Sequence, residues 1–307
     1  MTSIRKGVKK YLEFRWRLGF KLISDKQLLA KFVLFMERKK AAYVTTKLAL
    51  DFAKLNPKGS LTRWAVRLGI IRRFAKYWSA MDHRTEVPSL GLLPQTYRHR
   101  SPFIYSDSEI NHLLQCCMKL PIHERYTYFI LFGLLAVTGM RISEVIALSR
   151  DSFDACNAII KVSKSKFQKS RYLPLHKSTV KVLQDYIIYR NRCESIPKTS
   201  SFLIDHVGHS LKDCKIRRVF HKLLKEAGIK KGINSRNPRI MDFRHSFAVK
   251  HLVQWYERGV NIDQQMPLLS AYLGHVLPTN TYWYLTATPE LLRLIASRVE
   301  RYKRRTS

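Results

Sequence analysis

Strand-like patterning appears only in the middle of this chain. The stretch AIIKVSKSKFQKSRYLPLH, residues 158–176, reads as a β-strand, a basic turn and a second β-strand. On both sides of it, apolar residues recur at helical spacing. The pattern predicts a mainly α fold with one small β-sheet, α+β in class, the sheet lying in the C-terminal part.

The helical segments fall into two groups. The first 80 residues read as helices. Ser24-Asp25 caps a run from Lys26 to Lys40 with Leu28, Leu29, Phe32, Leu34 and Phe35 as its apolar stripe. Thr45 or Thr46 starts a second helix that ends near Leu55, before the stop Asn56-Pro57-Lys58-Gly59, and Ser60 caps LTRWAVRLGIIRRFAKYWSAM. Residues 82–104 break the pattern with Pro88, Gly91, Pro94 and Pro102 among Arg84, Arg98, His99 and Arg100. The expected organisation is a helical domain over 1–90, a basic linker over 91–104 and a second domain over 105–307. In the second domain Ser106 or Asp107 caps a helix through Leu120, and a nearly all-apolar, buried helix spans about 124–137. After the hairpin, helices are expected at about 177–191, 210–227, 242–258, 264–273 and 289–303.

Charge narrows the function. The 307 residues carry 56 Lys and Arg against 22 Asp and Glu, a formal net charge of +34. Such an excess opposes folding by self-repulsion unless a polyanion screens it. Residues 1–95 hold 21 basic and 6 acidic residues and the remainder 35 and 16, so both parts are basic. Nucleic acid gripped by both domains is the expected partner, ahead of an anionic membrane surface. The bases of the third N-terminal helix, Arg63, Arg67, Arg72, Arg73 and Lys76, read as a phosphate-facing surface or as a solvated helix face. Arg98 and Arg100 extend that surface into the linker.

Several classes drop out. No run approaches the roughly 18 apolar residues of a membrane span, and the basic start lacks the apolar core of a signal peptide. The five cysteines are scattered with no CxxC pair, so neither a disulfide framework nor a zinc site is expected, and a reducing cytoplasm fits best. A GxxxxGK[ST] loop is missing, which removes support for an ATP-driven motor.

Three segments carry chemistry. In TGMRISEVIALSRDSF, residues 138–153, a buried helix ends at Thr138-Gly139 and Arg141 begins another, with Glu144 placed to hold its guanidinium. That arrangement suits a phosphate clamp, and equally a structural ion pair. In NPRIMDFRHSFAVKHL, residues 237–252, Asp242 caps a helix with Arg244 and His245 in its first turn. In LLSAYLGHVLPTNTYWYLTATPELL, residues 268–292, a helix ends at the glycine of LGH and the aromatics Tyr282, Trp283 and Tyr284 follow. Taken singly, such tyrosines and His275 are more often packing and capping residues.

The ordered set is more specific. Arg in TG-x-R-x-S-E, Lys in a hairpin, a second Arg in RHS, then LGH and a Tyr nine residues beyond that His resembles the tyrosine recombinase (phage integrase) family over about residues 102–300. The basic helical N-terminal part is similar to that family's core-binding domain. The resemblance implies that Arg141 and Arg244 neutralise the scissile phosphate and its transition state. It implies that Lys166, eight residues before Pro174, protonates the leaving 5′-oxygen, with Lys164 and Lys169 as rivals or backbone contacts. It makes His275 a hydrogen-bonding histidine, Tyr284 the nucleophile and Tyr282 a packing residue. Two arginines and a lysine would also favour the phenolate over a phenol of ordinary pKa near 10. Because a phosphotyrosyl ester stores the energy of the cut bond, no cofactor and no metal are expected.

One position departs from the pattern. The family usually has His, sometimes Lys, three residues before the second arginine; here it is Met241, whose thioether is no useful proton acceptor or donor. His245, one place beyond Arg244, is expected to point elsewhere on its helix. The resemblance implies a cytoplasmic, nucleoid-associated site-specific recombinase, an integrase or transposase of a mobile element. It would work through a 3′-phosphotyrosyl intermediate and a Holliday junction. Its partner is double-stranded DNA with inverted core-type sites, and its assembly a tetramer on DNA, coupled through the amphipathic 289–303 helix. Two alternatives stay open: a DNA-binding protein whose catalysis was weakened or lost with Met241, and a type IB topoisomerase-like enzyme.

Overall fold

The computed structural model describes residues 3–56, 59–94, 101–163, 170–192, 198–230, 236–275, 277, 279–286 and 288–306. The chain divides into two units, Met1–His99 and Arg100–Ser307.

The helical reading of the first 80 residues names no helix before Lys26. The structure supplies one, α1 (Ser3–Arg17), which buries Ile4, Val8, Tyr11 and Leu12 at helical spacing. Helix α2 (Ile23–Arg38) starts ahead of Lys26, so Ser24 and Asp25 lie in its first turn rather than capping it. There the Asp25 carboxylate, near the positive end of the helix dipole, accepts from Arg73 Nη2 at 2.8 Å. The buried face of α2 is Leu29, Phe32, Val33 and Met36, and Leu34 faces solvent. Helix α3 (Thr46–Ala53) is capped by Thr45, whose Oγ1 accepts from Leu48 N at 3.2 Å. Helix α4 (Leu61–Trp78) is capped by Ser60 and packs against α1, α2 and α3. Phe32, Phe52, Ile71 and Phe74 fill the centre of this unit.

The second unit opens with α5 (Asp107–Cys117), whose Ser106–Glu109 capping box satisfies two end amides. Next come the largely buried α6 (Ile122–Thr138) and the short α7 (Ile142–Ile146). Three antiparallel strands follow in the order β1 (Phe153–Asp154), β2 (Ile159–Val162), β3 (Arg171–Pro174). Ile159 stands opposite Pro174 and Val162 opposite Arg171. The expected hairpin is β2–β3, and β1 is an addition to it; the turn at 164–169 lies outside the described residues. Helices α8 (Lys177–Arg192), α9 (Asp213–Glu226), α10 (Asp242–Glu257), α11 (Ile262–Leu273), α12 (Thr279–Tyr282) and α13 (Pro289–Thr306) complete the unit. This is the expected mainly α fold with one small sheet.

Two cores hold the second unit. Around α6, Leu131, Phe132 and Leu135 meet Phe220 of α9 and Phe243 of α10. Between α10, α11 and the last segment, Leu252, Met266, Leu273, Tyr284 and Leu291 are buried together. The two cores join through α10. Tyr105 stacks on Phe243 at 4.7 Å, and its amide donates to Ser246 Oγ at 2.7 Å. Asp242, expected as the cap of α10, is instead its first residue. Its fully buried carboxylate accepts from Arg239 N and Arg236 Nη2, both at 2.8 Å, and ties down the chain ahead of the helix. Helix α13 packs on α10, burying Leu291, while Arg298 Nη1 donates to Val260 O at 3.0 Å.

Candidate active site

The site is assembled on two helix ends. Helix α6 stops at Gly139, which takes a left-handed φ of 59°. Helix α11 stops the same way at Gly274, with φ 68°. Glycine adopts this conformation without the steric cost a Cβ adds. The last carbonyls of a helix have no intrahelical donors and carry its negative pole. Here they receive arginines. Arg171 Nε donates to Tyr272 O at 2.7 Å, Arg244 Nη2 to Leu273 O at 2.6 Å, and Arg141 Nη2 to Gly274 O at 3.3 Å. Three consecutive carbonyls thus gather three guanidiniums from β3, α10 and the start of α7. Arg244 also donates through Nη1 to Gly139 O at 3.0 Å, joining the two helix ends.

Glu144 sets the spacing of two of these arginines. Its carboxylate accepts from Arg141 Nη1 at 2.8 Å and Arg141 N at 2.9 Å, and from Arg171 Nη1 and Nη2 at 3.1 and 2.9 Å. The side chain is 5% exposed. Burial alone would raise its pKa; the hydrogen bonds from Arg171 and Arg141 outweigh burial and hold it below the usual carboxylate value. Arg171 is a site residue that the sequence reading did not single out. Arg244 is 2% exposed, and burial, with Arg141 nearby, lowers its pKa to about 10. It remains a cation at neutral pH.

Tyr284 lies in a 3-10 turn, Trp283–Thr286, and is 1% exposed. Its hydroxyl is 3.2 Å from His245 Nδ1. Burial raises the phenol pKa above its ordinary value, and Arg244, through its charge and a hydrogen bond, and Arg141 offset only part of that rise. The two arginines do favour the phenolate, as expected, but burial outweighs them, and the hairpin lysines lie outside the described residues. His275 stacks on Tyr284 at 6.3 Å, and its Nδ1 is 2.7 Å from the buried Thr281 Oγ1. Burial first, then Arg244 and Arg141, push His275 down to about 4, so its ring is neutral.

Arg141, Glu144, Arg244, His275 and Tyr284 thus converge on one site. Met241, three residues before Arg244, is 44% exposed at the entry to α10. Tyr282, expected to pack, is 39% exposed. His245, expected to point away, faces the Tyr284 hydroxyl and is the second site residue the sequence reading missed. Lys164, Lys166, Lys169, Arg98 and Arg100 lie outside the described residues. On α4, Arg63, Arg73 and Lys76 are exposed. Arg72 instead donates to Pro88 O and Ser89 O, each at 2.7 Å, and Arg67 to Ala53 O at 3.5 Å, so these two support their own unit. Among the described residues, no helix is long and apolar enough to cross a membrane.

The Sinorhizobium fredii protein y4rB, assigned as an integrase/recombinase, is 37% identical over 98% of this chain and 98% of its own length. A tyrosine recombinase of Pseudothermotoga lettingae is 29% identical over 78% of this chain and 74% of its own. Among solved structures, the Tn1549 transposon integrase in complex with transposon right end DNA superposes with a TM-score of 0.70. It has 16% identity and covers 98% of this chain and 99% of that one, a likeness of fold. The sequence profile of the phage integrase family matches residues 104–290, a span that takes in both helix ends, all three arginines and Tyr284, and the chain belongs to that family.

Proposed function

We propose that the chain is a site-specific DNA recombinase, an integrase or transposase, that cuts and rejoins duplex DNA through Tyr284. The observation that carries this reading is the burial of the Tyr284 hydroxyl beside Arg244, in a site that Arg141 shares. A guanidinium has five N–H donors, and the helix-end carbonyls and Glu144 use only some of them, which leaves donors for a phosphodiester.

In this reading the Tyr284 oxygen attacks the scissile phosphorus and the bond to the 5′-oxygen breaks. A 3′-phosphotyrosyl ester and a free 5′-hydroxyl result. Arg141 and Arg244 neutralise the charge that develops on the non-bridging oxygens, the kind of term that dominates such catalysis. His275 hydrogen-bonds one of those oxygens, Lys166 gives its proton to the departing 5′-oxygen, and Glu144 keeps Arg141 in place. The 5′-hydroxyl of a partner duplex then attacks the phosphotyrosyl ester and returns the phenol. Two such exchanges pass through a Holliday junction. The partner is double-stranded DNA with inverted core-type sites, clamped by the catalytic unit and by the helical N-terminal domain with its exposed Arg63 and Lys76. Four copies assemble on DNA, coupled through the 289–303 helix, in the bacterial cytoplasm.

A second reading, a DNA-binding protein without turnover, draws support from Met241 and from the raised pKa of Tyr284. Covalent trapping in cells separates the two. Wild type, Tyr284→Phe and Met241→His are expressed with the parent mobile DNA, lysed in boiling detergent and pulled down, and the attached DNA is sequenced. Adducts in wild type that vanish in Tyr284→Phe support the recombinase and give the target site. Adducts only in Met241→His mean a scaffold disabled at one position. Reversible DNA binding with no adduct in any arm leaves the binding protein. Relaxation of a plasmid without any special site, at monomeric concentration, would favour a topoisomerase-like enzyme.

A further inference from the structure

The proposed reaction needs a group to take the proton of Tyr284, and the usual position for it holds Met241. We propose that His245 is that group: its Nδ1 accepts the Tyr284 proton as the phenol oxygen attacks phosphorus, and Asp242 steadies the imidazolium that forms. This rests on the recombinase reading and adds one catalytic residue to it.

The contact between Tyr284 and His245 is that of a nucleophile and its base, and Asp242 lies near the other ring nitrogen, beyond hydrogen-bonding distance. The Tyr284 oxygen and His245 Nδ1 are 3.2 Å apart, within hydrogen-bonding reach. The other ring nitrogen, Nε2, lies 3.9 Å from Asp242 Oδ1. A carboxylate on that side favours the tautomer with hydrogen on Nε2, which leaves the Nδ1 lone pair facing the phenol. The edge-on ring of Trp283, at 5.2 Å and 79°, packs against the imidazole and fixes its plane. Asp242 is itself held by Arg236 Nη2 and Arg239 N, so it cannot swing away.

The charged and titratable groups around His245 are Asp242 and Arg244 on α10, Arg236 on the chain before it, and Tyr284 and His275 across from it. Burial, then Arg236 and Arg244, lower the His245 pKa to about 4, so at physiological pH the ring is neutral and only weakly basic. A bound phosphodiester brings a negative charge that offsets the arginines and raises the basicity of the ring at the moment it is needed. The balance is simple. The phenol O–H bond breaks, the oxygen–phosphorus bond forms, and the proton moves to Nδ1. In the reverse attack the phenol is the leaving group and takes the same proton back.

The test is single-turnover attachment of the purified full chain to a duplex of the sequence recovered by trapping. It is made with an ordinary scissile phosphate and with the bridging 5′-oxygen replaced by sulfur. A thiolate leaves without being protonated, so the sulfur substrate removes the need for an acid and keeps the need for a base. His245→Ala and His245→Gln, with folding checked by circular dichroism, should slow attachment roughly 10²–10⁴-fold on both substrates. Lys166→Ala should be slow only on the ordinary one. Added imidazole should restore part of the His245→Ala rate without changing DNA affinity. The proposal is overturned if either His245 variant attaches within threefold of wild type, if its defect disappears on the sulfur substrate, or if DNA affinity falls as much as rate and imidazole restores nothing. Wild type that forms no Tyr284-dependent adduct would instead remove the recombinase reading beneath it.

Discussion

Glu144→Gln tests whether Arg141 and Arg171 depend on the carboxylate they share. In the folded chain Glu144 accepts four hydrogen bonds, two from each of Arg141 and Arg171, at 2.8 to 3.1 Å, from a side chain 5% exposed. Glutamine keeps the shape but turns an amide toward two of the four donors and removes the charge. Breaking a buried ion pair costs about 3–5 kcal/mol, chiefly because the remaining charge stays buried. Here Tyr272 O and Gly274 O still hold the two guanidiniums, which favours the lower end, about 3 kcal/mol. For a unit of about 200 residues this corresponds to a Tm roughly 6–12 °C lower. Differential scanning calorimetry of parent and variant at pH 7 reads it directly. The sign with pH is also fixed. Glu144 has its folded pKa below the unfolded value, so its contribution is present above the ordinary carboxylate pKa and is lost as pH falls through the lowered one. The two proteins should therefore converge on acidification. A Tm difference under 2 °C at pH 7, or one that widens toward low pH, would refute the reasoning.

Three further outcomes follow from the same contacts. His245 and His275 are both held near 4 in the folded chain against 6.5 in a free side chain, so unfolding binds protons in that window. Stability should fall as pH drops from about 6.5 to 4, by on the order of 3 kcal/mol for each ring, and less in the His→Gln variants, measured by urea unfolding at stepped pH. Gly274→Ala forces a side chain into φ 68° and brings its Cβ to 2.7 Å from Arg171 Nη1. A loss of about 1–3 kcal/mol is expected, with slowed DNA attachment because Arg141 and Arg171 are both displaced. Ser246→Ala leaves the buried Tyr105 amide without its 2.7 Å acceptor and should cost about 1–3 kcal/mol in chemical denaturation without altering DNA affinity.

What the sequence made legible, and what it hid, divides along one physical line. Arg141, Glu144, Arg244, His275 and Tyr284 stand beside local punctuation, namely the glycines that end α6 and α11 and the aromatic run after LGH, and their order along the chain is readable. Arg171 is one basic residue among many in the hairpin. Its partners are Glu144, 27 positions back, and Tyr272 O, 101 positions ahead. A backbone carbonyl has no letter in a sequence, so a site gathered on three of them leaves no motif. The same holds for the carbonyls of Ala53, Pro88 and Ser89 that Arg67 and Arg72 donate to, contacts that no motif in the sequence marks.

His245 was hidden for a different reason. Neighbouring residues on a helix point about 100° apart, so an arginine aimed at a site argues against the next residue sharing it. That argument assumes the site lies over one line of the helix. Here the segment bearing Tyr284 packs on α10, and its buried hydroxyl interacts with both Arg244 and His245. Consecutive residues of α10 thus both reach one hydroxyl. The same packing gives Met241 a physical context: it sits half exposed at the mouth of α10, ahead of the pair that touches the nucleophile. The loss of a titrating group there leaves the contacts of Arg244 and His245 with Tyr284 intact.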